Sequence, residues 1–421
     1  MESAKGSMES ALLRHEGKVT PYPSLAYTEC EVMSLSDTKY RWRLPLAVIY
    51  GGRGEEREIS KMSAESFIGA CLKENIPILR VLIEKDGSFY IESEEESPKN
   101  GENKAVGGDE ELKTPENLPL GGDTYTENAE IIKECGCAIP RPQASRVRIP
   151  TYPVRLEGKS GFLVRGELVE VRGAFPILHG DFGEDGTVQG ALITAGIRLF
   201  GADTLAGAVS SDKAYTKMIA EHYGIPTTPF VTVIRREMGR AIASCEALGY
   251  PLFVKPCSLG SSIGIGIAYN RGELISALKA ALFYSERAVC ERLIEDKREL
   301  ECAYFSVGDK RLITPPAEVL VKGFYDYDGK YRRPTEVMPV AEVDDAVKEK
   351  IIRYTDTLSA ALSVKNISRF DYFLLPSGEI LLNEVNSCPG MTESSLYLRM
   401  LDMAGLSVSE LVSLVWGDPS W

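Results

Sequence analysis

The segment that most constrains this fold runs from Leu44 to Ile83. An apolar stretch (LPLAVIY) ends in two glycines, a helical pattern of apolar residues follows from Ser60 to Lys73, and a second apolar stretch begins at Ile76. Short apolar runs bounded by glycine predict buried strands, and a strand–helix–strand succession predicts a parallel sheet. The chain therefore begins as an α/β fold.

The alternation of strands and helices continues along the chain. We predict strands at 174–178, 251–255, 288–291 and 379–383, and helices at 190–197, 213–222 and 271–284. A length of 421 residues is too great for one core and predicts two or three domains. Residues 1–41, which open with a near-duplication, are expected to be a flexible extension, and the acidic stretch 92–123 a mobile surface insertion.

Composition excludes several classes of function. The formal net charge of −13 argues against a nucleic-acid or anionic-membrane partner, although a local basic pocket can still hold a triphosphate. No apolar run approaches the ~20 residues of a membrane span, and the polar N-terminus does not resemble a signal peptide. The nine cysteines are irregularly spaced and form no zinc pattern. We expect free thiols and a cytoplasmic enzyme.

A phosphate site is indicated near Lys255. This lysine ends an apolar strand and precedes the small-residue loop GSSIG, which begins at Gly260. Small residues let backbone N–H groups approach phosphate oxygens, and a lysine supplies positive charge. The spacing is not that of a P-loop, since no Gly-Lys-Ser/Thr follows. An ordinary solvated turn remains the alternative.

The strongest polar cluster is Asp371, Glu384 and Asn386. Asp371 lies on a predicted strand, and Glu384 and Asn386 stand two apart at the end of another, so they share a face. Oxygen ligands on one face suit Mg²⁺ bound to nucleotide phosphates. Arg369, two residues before Asp371, suits a transferring phosphoryl group. The alternatives are an acidic surface face and a simple ion pair of Arg369 with Asp371 or Glu384.

Four further segments are candidates for a site. Glu56 follows a glycine-rich loop and either holds a substrate ammonium group or complements a helix dipole; a dinucleotide fingerprint is disfavoured because Arg57 replaces its third glycine. His179 directly follows a predicted strand and is either a site residue or a buried, satisfied histidine. The turn at Gly390 offers backbone amides to an oxyanion. The polar, aromatic segment 324–331 is typical of a lid.

Taken together, these segments resemble the D-alanine–D-alanine ligases of the ATP-grasp superfamily. The resemblance extends from residue 44 to about 415, in the family's order, through GGRGEEREIS, HGDFGEDGTVQG, SSDKAYTK, VKPCSLGSSIG, FYDYDGKY, SRFDYF and NEVNSCPGMTESSL. It implies an α/β (α+β) ATP-grasp fold. The implied domains are an N-terminal α/β donor domain (42–203), a central ATP-grasp domain (204–296) and a C-terminal catalytic domain (297–421).

The resemblance also implies the site residues. Catalytic residues would be Glu56, Ser261, Tyr331, Arg369 and Gly390; D-alanine would contact His179, Ser395 and Leu396; ATP would contact Lys213, Lys255, Ser262, Glu291, Glu299 and Lys330; Mg²⁺ would be bound by Asp371, Glu384 and Asn386. Glu56 would bind the first ammonium and form a triad with Ser261 and Tyr331. Glu291 would face adenine and Glu299 ribose. Two Mg²⁺ ions, replaceable by Mn²⁺, and a homodimer are implied as well.

The implied reaction joins two D-alanines at the expense of ATP, through an acyl phosphate. Two alternatives stay open: a ligase that uses D-serine, D-lactate or another acceptor, and a catalytically silent ATP-binding regulator. Leu396 stands where lactate- and serine-type relatives typically carry arginine, which favours D-alanine as acceptor. The sequence departs from the family pattern at ERLIEDKRE, which has an extra residue and no glycine, and at Tyr397-Leu398, where a proline is frequent. Residues 1–41 and 92–123 have no family counterpart.

Overall fold

The structure is a computed structural model that describes residues 44–94, 146–258, 260, 263–320, 336–338 and 341–417. Several sequence-based predictions lie outside these residues: the extension 1–41, nearly all of the insertion 92–123, and the lid 324–331 with Lys330 and Tyr331. Ser261 and Ser262 of the glycine-rich loop lie outside them too.

The described strands fall into three sheets along the chain. The first comprises β1 (Leu46–Gly51), β2 (Ile78–Ile83), β3 (Phe89–Glu94), β4 (Arg146–Leu156), β5 (Lys159–Val164), β6 (Glu167–Glu170) and β7 (Gly173–Pro176). The second comprises β8 (Phe230–Ile234), β9 (Leu252–Pro256), β10 (Gly266–Ala268) and β11 (Arg287–Arg292). The third comprises β12 (Arg298–Val307), β13 (Lys310–Ile313), β14 (Ala317–Leu320), β15 (Glu336–Met338), β16 (Ile367–Leu374) and β17 (Ile380–Asn386).

The helices of the described residues pack against these sheets. They are α1 (Arg57–Lys73), α2 (Thr187–Thr194), α3 (Thr204–Ser211), α4 (Lys213–His222), α5 (Met238–Glu246), α6 (Arg271–Tyr284), α7 (Asp345–Ala361), α8 (Leu396–Met403) and α9 (Val408–Gly417). None of the helices in the described ranges is both long and apolar enough to cross a membrane.

The first sheet is only partly the parallel sheet that the sequence predicts. Strand β1 pairs in parallel with β2 and β7, as expected, but β3, β4, β5 and β6 join by antiparallel pairing. The prediction fails there because tight turns join β2 to β3, β4 to β5 and β5 to β6, and such turns permit only antiparallel neighbours. The strand order is β6-β5-β4-β3-β2-β1-β7.

The apolar character of β1 is explained by burial on both faces. Leu46, Val48 and Tyr50 enter one core cluster, while Ala47 and Ile49 enter another on the opposite face. A strand covered on both sides has no exposed alternate positions, so its sequence is continuously apolar. The cluster that contains Leu46 also receives side chains from β12, α8 and α9, so the first and third sheets share a core.

Predicted elements outside the first sheet are mostly confirmed. Helices α4 and α6 have the predicted limits, with Asp212 and Asn270 as their N-caps. Helix α2, predicted at 190–197, instead ends before Gly196, whose φ of +70° terminates a helix readily. The described cysteines are all free and buried: Cys71, Cys245, Cys257, Cys290, Cys302 and Cys388.

Candidate active site

The glycine-rich loop after β1 places Glu56 next to two other loops. Glu56 is buried at the start of α1. A Cβ atom placed on Gly180 would come within 2.7 Å of Glu56 Oε2, and one placed on Gly260 within 3.1 Å. The carboxylate therefore lies against both the loop after β7 and the small-residue loop after β9. These are the loops that the sequence singled out separately.

Arg57 holds this first loop in place. Its guanidinium donates to the carbonyl oxygen of Gly52 at 3.1 Å, to that of Ile83, and to Glu84 at 2.7 Å. The residue that excludes a dinucleotide fingerprint is thus a structural anchor that ties the loop to the end of β2.

Negative charge is concentrated beside Glu56. The pKa of Asp181 is raised to about 6, first by burial and then by the neighbouring charges of Asp185 and Glu56, while Lys213 acts in the opposite direction. Carboxyl groups that repel one another create a negative potential, which favours a cationic group such as an ammonium.

A buried charge cluster lies where the first turns of α4 face the second and third sheets. Glu291 Oε1 lies 2.8 Å from Lys217 Nζ, and Glu291 Oε2 lies 3.1 Å from Lys255 Nζ. Burial by itself raises the pKa of Glu291, but the two lysines outweigh it and hold that pKa below the ordinary value. Lys255 also donates to Asn383 Oδ1 at 3.4 Å, which connects this cluster to β17.

One face of the third sheet changes from apolar to charged along its strands. Arg369 donates two hydrogen bonds of 2.8 Å to the carboxylate of Asp371, and its Nε lies 3.1 Å from Glu301 Oε2. Burial disfavours the charged guanidinium, yet the carboxylates outweigh this effect and raise the pKa of Arg369 well above its ordinary value. Both acids keep the arginine charged and fixed.

A β-bulge brings additional oxygen atoms to the same place. Asp371 stands opposite Glu384, whereas the next residue, Tyr372, stands opposite Leu382, so Asn383 is the extra residue of β17. A small cleft here is lined by Glu299, Leu300, Glu301, Arg369, Asp371, Tyr372, Phe373, Asn383 and Glu384. Asn386 lies opposite Arg369, and its Oδ1 accepts the N–H of Cys388 at 3.0 Å.

The donors around this cleft suit a divalent cation in kind. Carboxylate and amide oxygens from two neighbouring strands are the ligands that Mg²⁺ prefers. In the described residues, no three His, Cys, Asp or Glu side chains are already gathered as around an ion, and both oxygens of Asp371 face Arg369. An ion at Asp371 would therefore share that carboxylate with Arg369.

The turn after β17 and the loop after β7 meet at Ser63, on α1. The N–H of Met391 donates to Ser63 Oγ at 3.2 Å, and the same oxygen lies 3.3 Å from His179 Nε2. A Cβ atom on Gly390 would come within 2.9 Å of Ser395 Oγ, directly before α8. Gly390, Ser395 and His179 thus belong to one contiguous region.

Three residues of this region escaped the sequence analysis: Ser63, Lys217 and Glu301. Each is buried, and each acts through partners that are distant in sequence. The only local signals are that Lys217 lies one helical turn after Lys213 and that Glu301 lies two residues after Glu299 on one strand face. The first places Lys217 on the helix face that bears a predicted phosphate ligand.

Comparison with known proteins places this geometry in a family. A family model described as "D-ala D-ala ligase N-terminus" matches residues 45–202, and one described as "D-ala D-ala ligase C-terminus" matches residues 219–415. This chain belongs to the D-alanine–D-alanine ligase family. The resemblance recognised from the sequence is confirmed, and so is the ATP-grasp fold class.

Individual members of the ligase family are similar over nearly their whole length. The D-alanine–D-alanine ligase of Enterococcus faecalis is 34% identical over 375 residues, which cover 88% of this chain and 97% of that protein. The Treponema denticola ligase is 31% identical and covers 87% of this chain and 93% of its own. The crystal structure of VanG D-Ala:D-Ser ligase from Enterococcus faecalis matches with a TM-score of 0.69 at 29% identity, over 88% of this chain and 98% of that one.

Proposed function

We propose that this protein joins two D-alanine molecules into D-alanyl-D-alanine, a peptidoglycan precursor, with conversion of ATP to ADP and phosphate. The carboxylate of the first D-alanine attacks the γ-phosphate and becomes an acyl phosphate. The amine of the second attacks the acyl carbon, and the tetrahedral intermediate expels phosphate. The observation that carries the proposal is the assembly of Glu56, Lys255 and the Arg369 cluster within a chain of this family.

The donor D-alanine is assigned to the region around Glu56. Glu56 binds its ammonium, and His179 lines the pocket. The negative potential that raises the pKa of Asp181 supports this assignment, because it favours a cation beside these loops. The triad of Glu56 with Ser261 and Tyr331, which joins the donor, phosphate and lid loops, remains part of the proposal.

ATP is assigned to the space between the second and third sheets. Lys213, Lys255, Ser262 and Lys330 contact its phosphates, Glu291 faces adenine and Glu299 the ribose. Support comes from the contacts of Lys255 with both Glu291 and Asn383, which connect the proposed nucleotide and metal sites through one side chain. Phosphoryl transfer needs mainly positioning and charge neutralisation, for which lysines are suited.

Asp371, Glu384 and Asn386 are proposed as ligands of two Mg²⁺ ions, for which Mn²⁺ can substitute. When bound, such ions neutralise the phosphate oxygens and orient them for in-line transfer. Arg369 stabilises the charge of the transferring phosphoryl group, and the backbone at Gly390 stabilises the tetrahedral intermediate. Ser395 and Leu396, at the beginning of α8, line the second D-alanine.

A ligase with D-serine as acceptor is the second candidate, because of the structural match to a D-Ala:D-Ser ligase. Leu396 argues for D-alanine, since an apolar side chain accommodates its methyl group. Apolar pockets reject an added hydroxyl by only about 100-fold, so weak use of D-serine is expected. A silent ATP-binding regulator is disfavoured by the retained Arg369, Asp371 and Glu384.

The test is phosphate release with ATP, Mg²⁺ and D-alanine, followed by competition among D-alanine, D-serine and D-lactate with products resolved by mass. We expect D-alanyl-D-alanine to predominate at neutral pH, with negligible D-lactate product. Predominance of another product would refute the acceptor but keep the ligase; no phosphate release with any acceptor would favour the regulator.

The remaining attributes are proposed on the same basis. We propose a cytoplasmic homodimer whose chain forms a donor-substrate domain (42–203), a central ATP-grasp domain (204–296) and a C-terminal catalytic domain (297–421). The net charge of −13 supports the expectation of no nucleic-acid partner.

A further inference from the structure

Ser63 connects the loop after β7 with the turn after β17. It lies on α1 with none of its surface exposed. Its Oγ lies 3.3 Å from Nε2 of His179, in the loop after β7, and accepts the N–H of Met391 at 3.2 Å, in the turn after β17. One hydroxyl therefore spans residues that are separated from it by 116 and 328 positions in the sequence.

The direction of one of these two hydrogen bonds follows from the chemistry of its groups. The backbone N–H of Met391 can only donate, so Ser63 Oγ is its acceptor. The oxygen can accept a second hydrogen bond or donate its own hydrogen, so the 3.3 Å contact with His179 Nε2 fits either tautomer, and the surroundings of Nδ1 decide between them. Where Ser63 donates, Nε2 carries no proton and the ring proton resides on Nδ1.

The environment of Nδ1 agrees with this tautomer. His179 Nδ1 lies 4.0 Å from Glu184 Oε1, and Glu184 Oε2 accepts the N–H of Gly180 at 2.9 Å. A carboxylate held by the adjacent backbone thus faces the protonated nitrogen. The imidazole thus has a carboxylate on its Nδ1 side, at Glu184, and a hydroxyl on its Nε2 side, at Ser63.

The other hydrogen bond of Ser63 fixes the turn that contains Gly390. The acceptor for Met391 N–H sets the plane of the Gly390–Met391 peptide, which also carries the carbonyl group of Gly390. Gly390 is also in close contact with Ser395. The position of the turn therefore bears on both the transition state and the acceptor pocket.

We propose that Ser63 is a positioning residue of the ligase, which holds His179 as its Nδ1–H tautomer and locks the Gly390–Met391 peptide, so that the donor and acceptor pockets keep one geometry. This inference rests on the proposed function, which assigns His179 to D-alanine and Gly390 to the tetrahedral intermediate. Ser63 itself touches neither substrate.

The first test is the tautomer of His179 in the whole protein. The chain has three histidines, so ¹⁵N-histidine labelling gives a resolvable long-range ¹H–¹⁵N spectrum, in which a His179→Asn variant identifies the signals. We expect Nδ1–H in the wild type and in Ser63→Thr, which keeps the hydroxyl. Ser63→Ala and Ser63→Cys, which lose or weaken the donor, should shift His179 toward Nε2–H.

The second test is kinetic. Removal of the hydroxyl leaves a buried N–H without its acceptor, and we expect Ser63→Ala to lower kcat/KM for D-alanine about 10-fold, with KM for ATP nearly unchanged. Ser359→Ala is the matched control, because Ser359 is an equally buried, hydrogen-bonded serine on α7. It should lower thermal stability similarly without a change in KM or tautomer.

Three outcomes would overturn the proposal: an Nε2–H tautomer in the wild type, unchanged spectra and kinetics in Ser63→Ala, or full recovery by Ser63→Cys, which would mean that only volume matters. Failure of the proposed function is distinguishable from these. It would show as no dipeptide from the wild type, while the histidine spectrum would still report whether Ser63 sets the tautomer.

Discussion

Arg369 has carboxylate partners that suit the site both without and with a bound metal ion. It is held by Asp371 and by Glu301, from neighbouring strands. Asp371 is a proposed metal ligand, and a bound ion would draw charge from its carboxylate. Glu301 approaches the same Nε at 3.1 Å and would then remain its partner. The second acid, Glu301, thus keeps Arg369 paired when Asp371 also binds an ion.

The proposed role of Glu384 as a metal ligand predicts a large loss of turnover when its charge is removed. Glu384→Gln keeps the shape of the side chain but removes the charge that attracts the cation, so turnover should fall by roughly 100-fold or more with the fold intact. Steady-state phosphate release over a range of Mg²⁺ concentrations measures this.

The matched control is Glu318→Gln. Glu318 is a buried glutamate of the same sheet, whereas Glu384 is half-buried. It stands opposite Leu300, on the face opposite to that of Asp371, and pairs with Arg298. Its loss should lower stability and spare turnover. Equal turnover in Glu384→Gln and the wild type at low Mg²⁺ would remove Glu384 from the metal site.

Replacement of Asp181 by asparagine should stabilise the protein in a pH-dependent way. Its pKa of about 6 in the folded protein exceeds the ordinary 3.8, so the folded state retains this proton longer than the unfolded state, and stability is lost as pH rises from about 4 to above 6. Asp181→Asn avoids that loss. We expect its melting temperature to exceed the wild-type value by about 2 °C at pH 8, and the gain to vanish near pH 4.

Asp86→Asn serves as the control for Asp181. The pKa of Asp86 is lowered by hydrogen bonds from Ser88, so its substitution should give no gain at pH 8. Melting curves of the three proteins at pH 4, 6 and 8 suffice, and a gain for Asp181→Asn that is independent of pH would contradict the electrostatic explanation.

At the scale of elements, the loops between strands and helices determine the site. Gly180 has a φ of +73°, and a side chain there would meet Glu56 Oε2 at 2.7 Å. Gly180→Ala should therefore displace Glu56 and raise KM for D-alanine at least about 10-fold, while KM for ATP changes little.

Gly224→Ala separates this clash from backbone strain. Gly224 has nearly the same φ, +71°, but nothing within 4 Å of the added Cβ atom. It should cost stability alone. Were both variants to raise KM for D-alanine equally, contact with Glu56 would not be the cause.

The elements also show what a sequence can and cannot predict. Strand β1 and helices α4 and α6 were predictable because buried strands and capped amphipathic helices leave local patterns. Strands β4, β5 and β6 were missed, since half-exposed hairpins lack a continuous apolar run. The proposed site residues that follow strands or glycines could be singled out from the sequence. Ser63, Lys217 and Glu301 could not, because only tertiary contacts reveal their partners.

At the scale of the molecule, the proposed site lies between three sheets, of which the first and third share an apolar core and the second has its own. The cluster around β1 and α1 includes Ala303 and Phe305 of β12 and residues of α8 and α9, so the first and third sheets are joined by apolar packing. The second sheet has a separate core with α5 and α6. The apolar packing of the second sheet is therefore distinct from that of the first and third sheets.

Hydrogen exchange followed by mass spectrometry can test this division. Phe305 is 1% exposed in the shared cluster, and Phe305→Ala should cost about 3–5 kcal/mol and accelerate exchange in β1 as well as in β12. Leu278→Ala, a fully buried position of α6 in the separate core, should accelerate exchange in β9 and β11 but leave β1 protected. If Phe305→Ala instead leaves the exchange of β1 unchanged, the first and third sheets unfold independently, and the shared cluster is a contact rather than a common core.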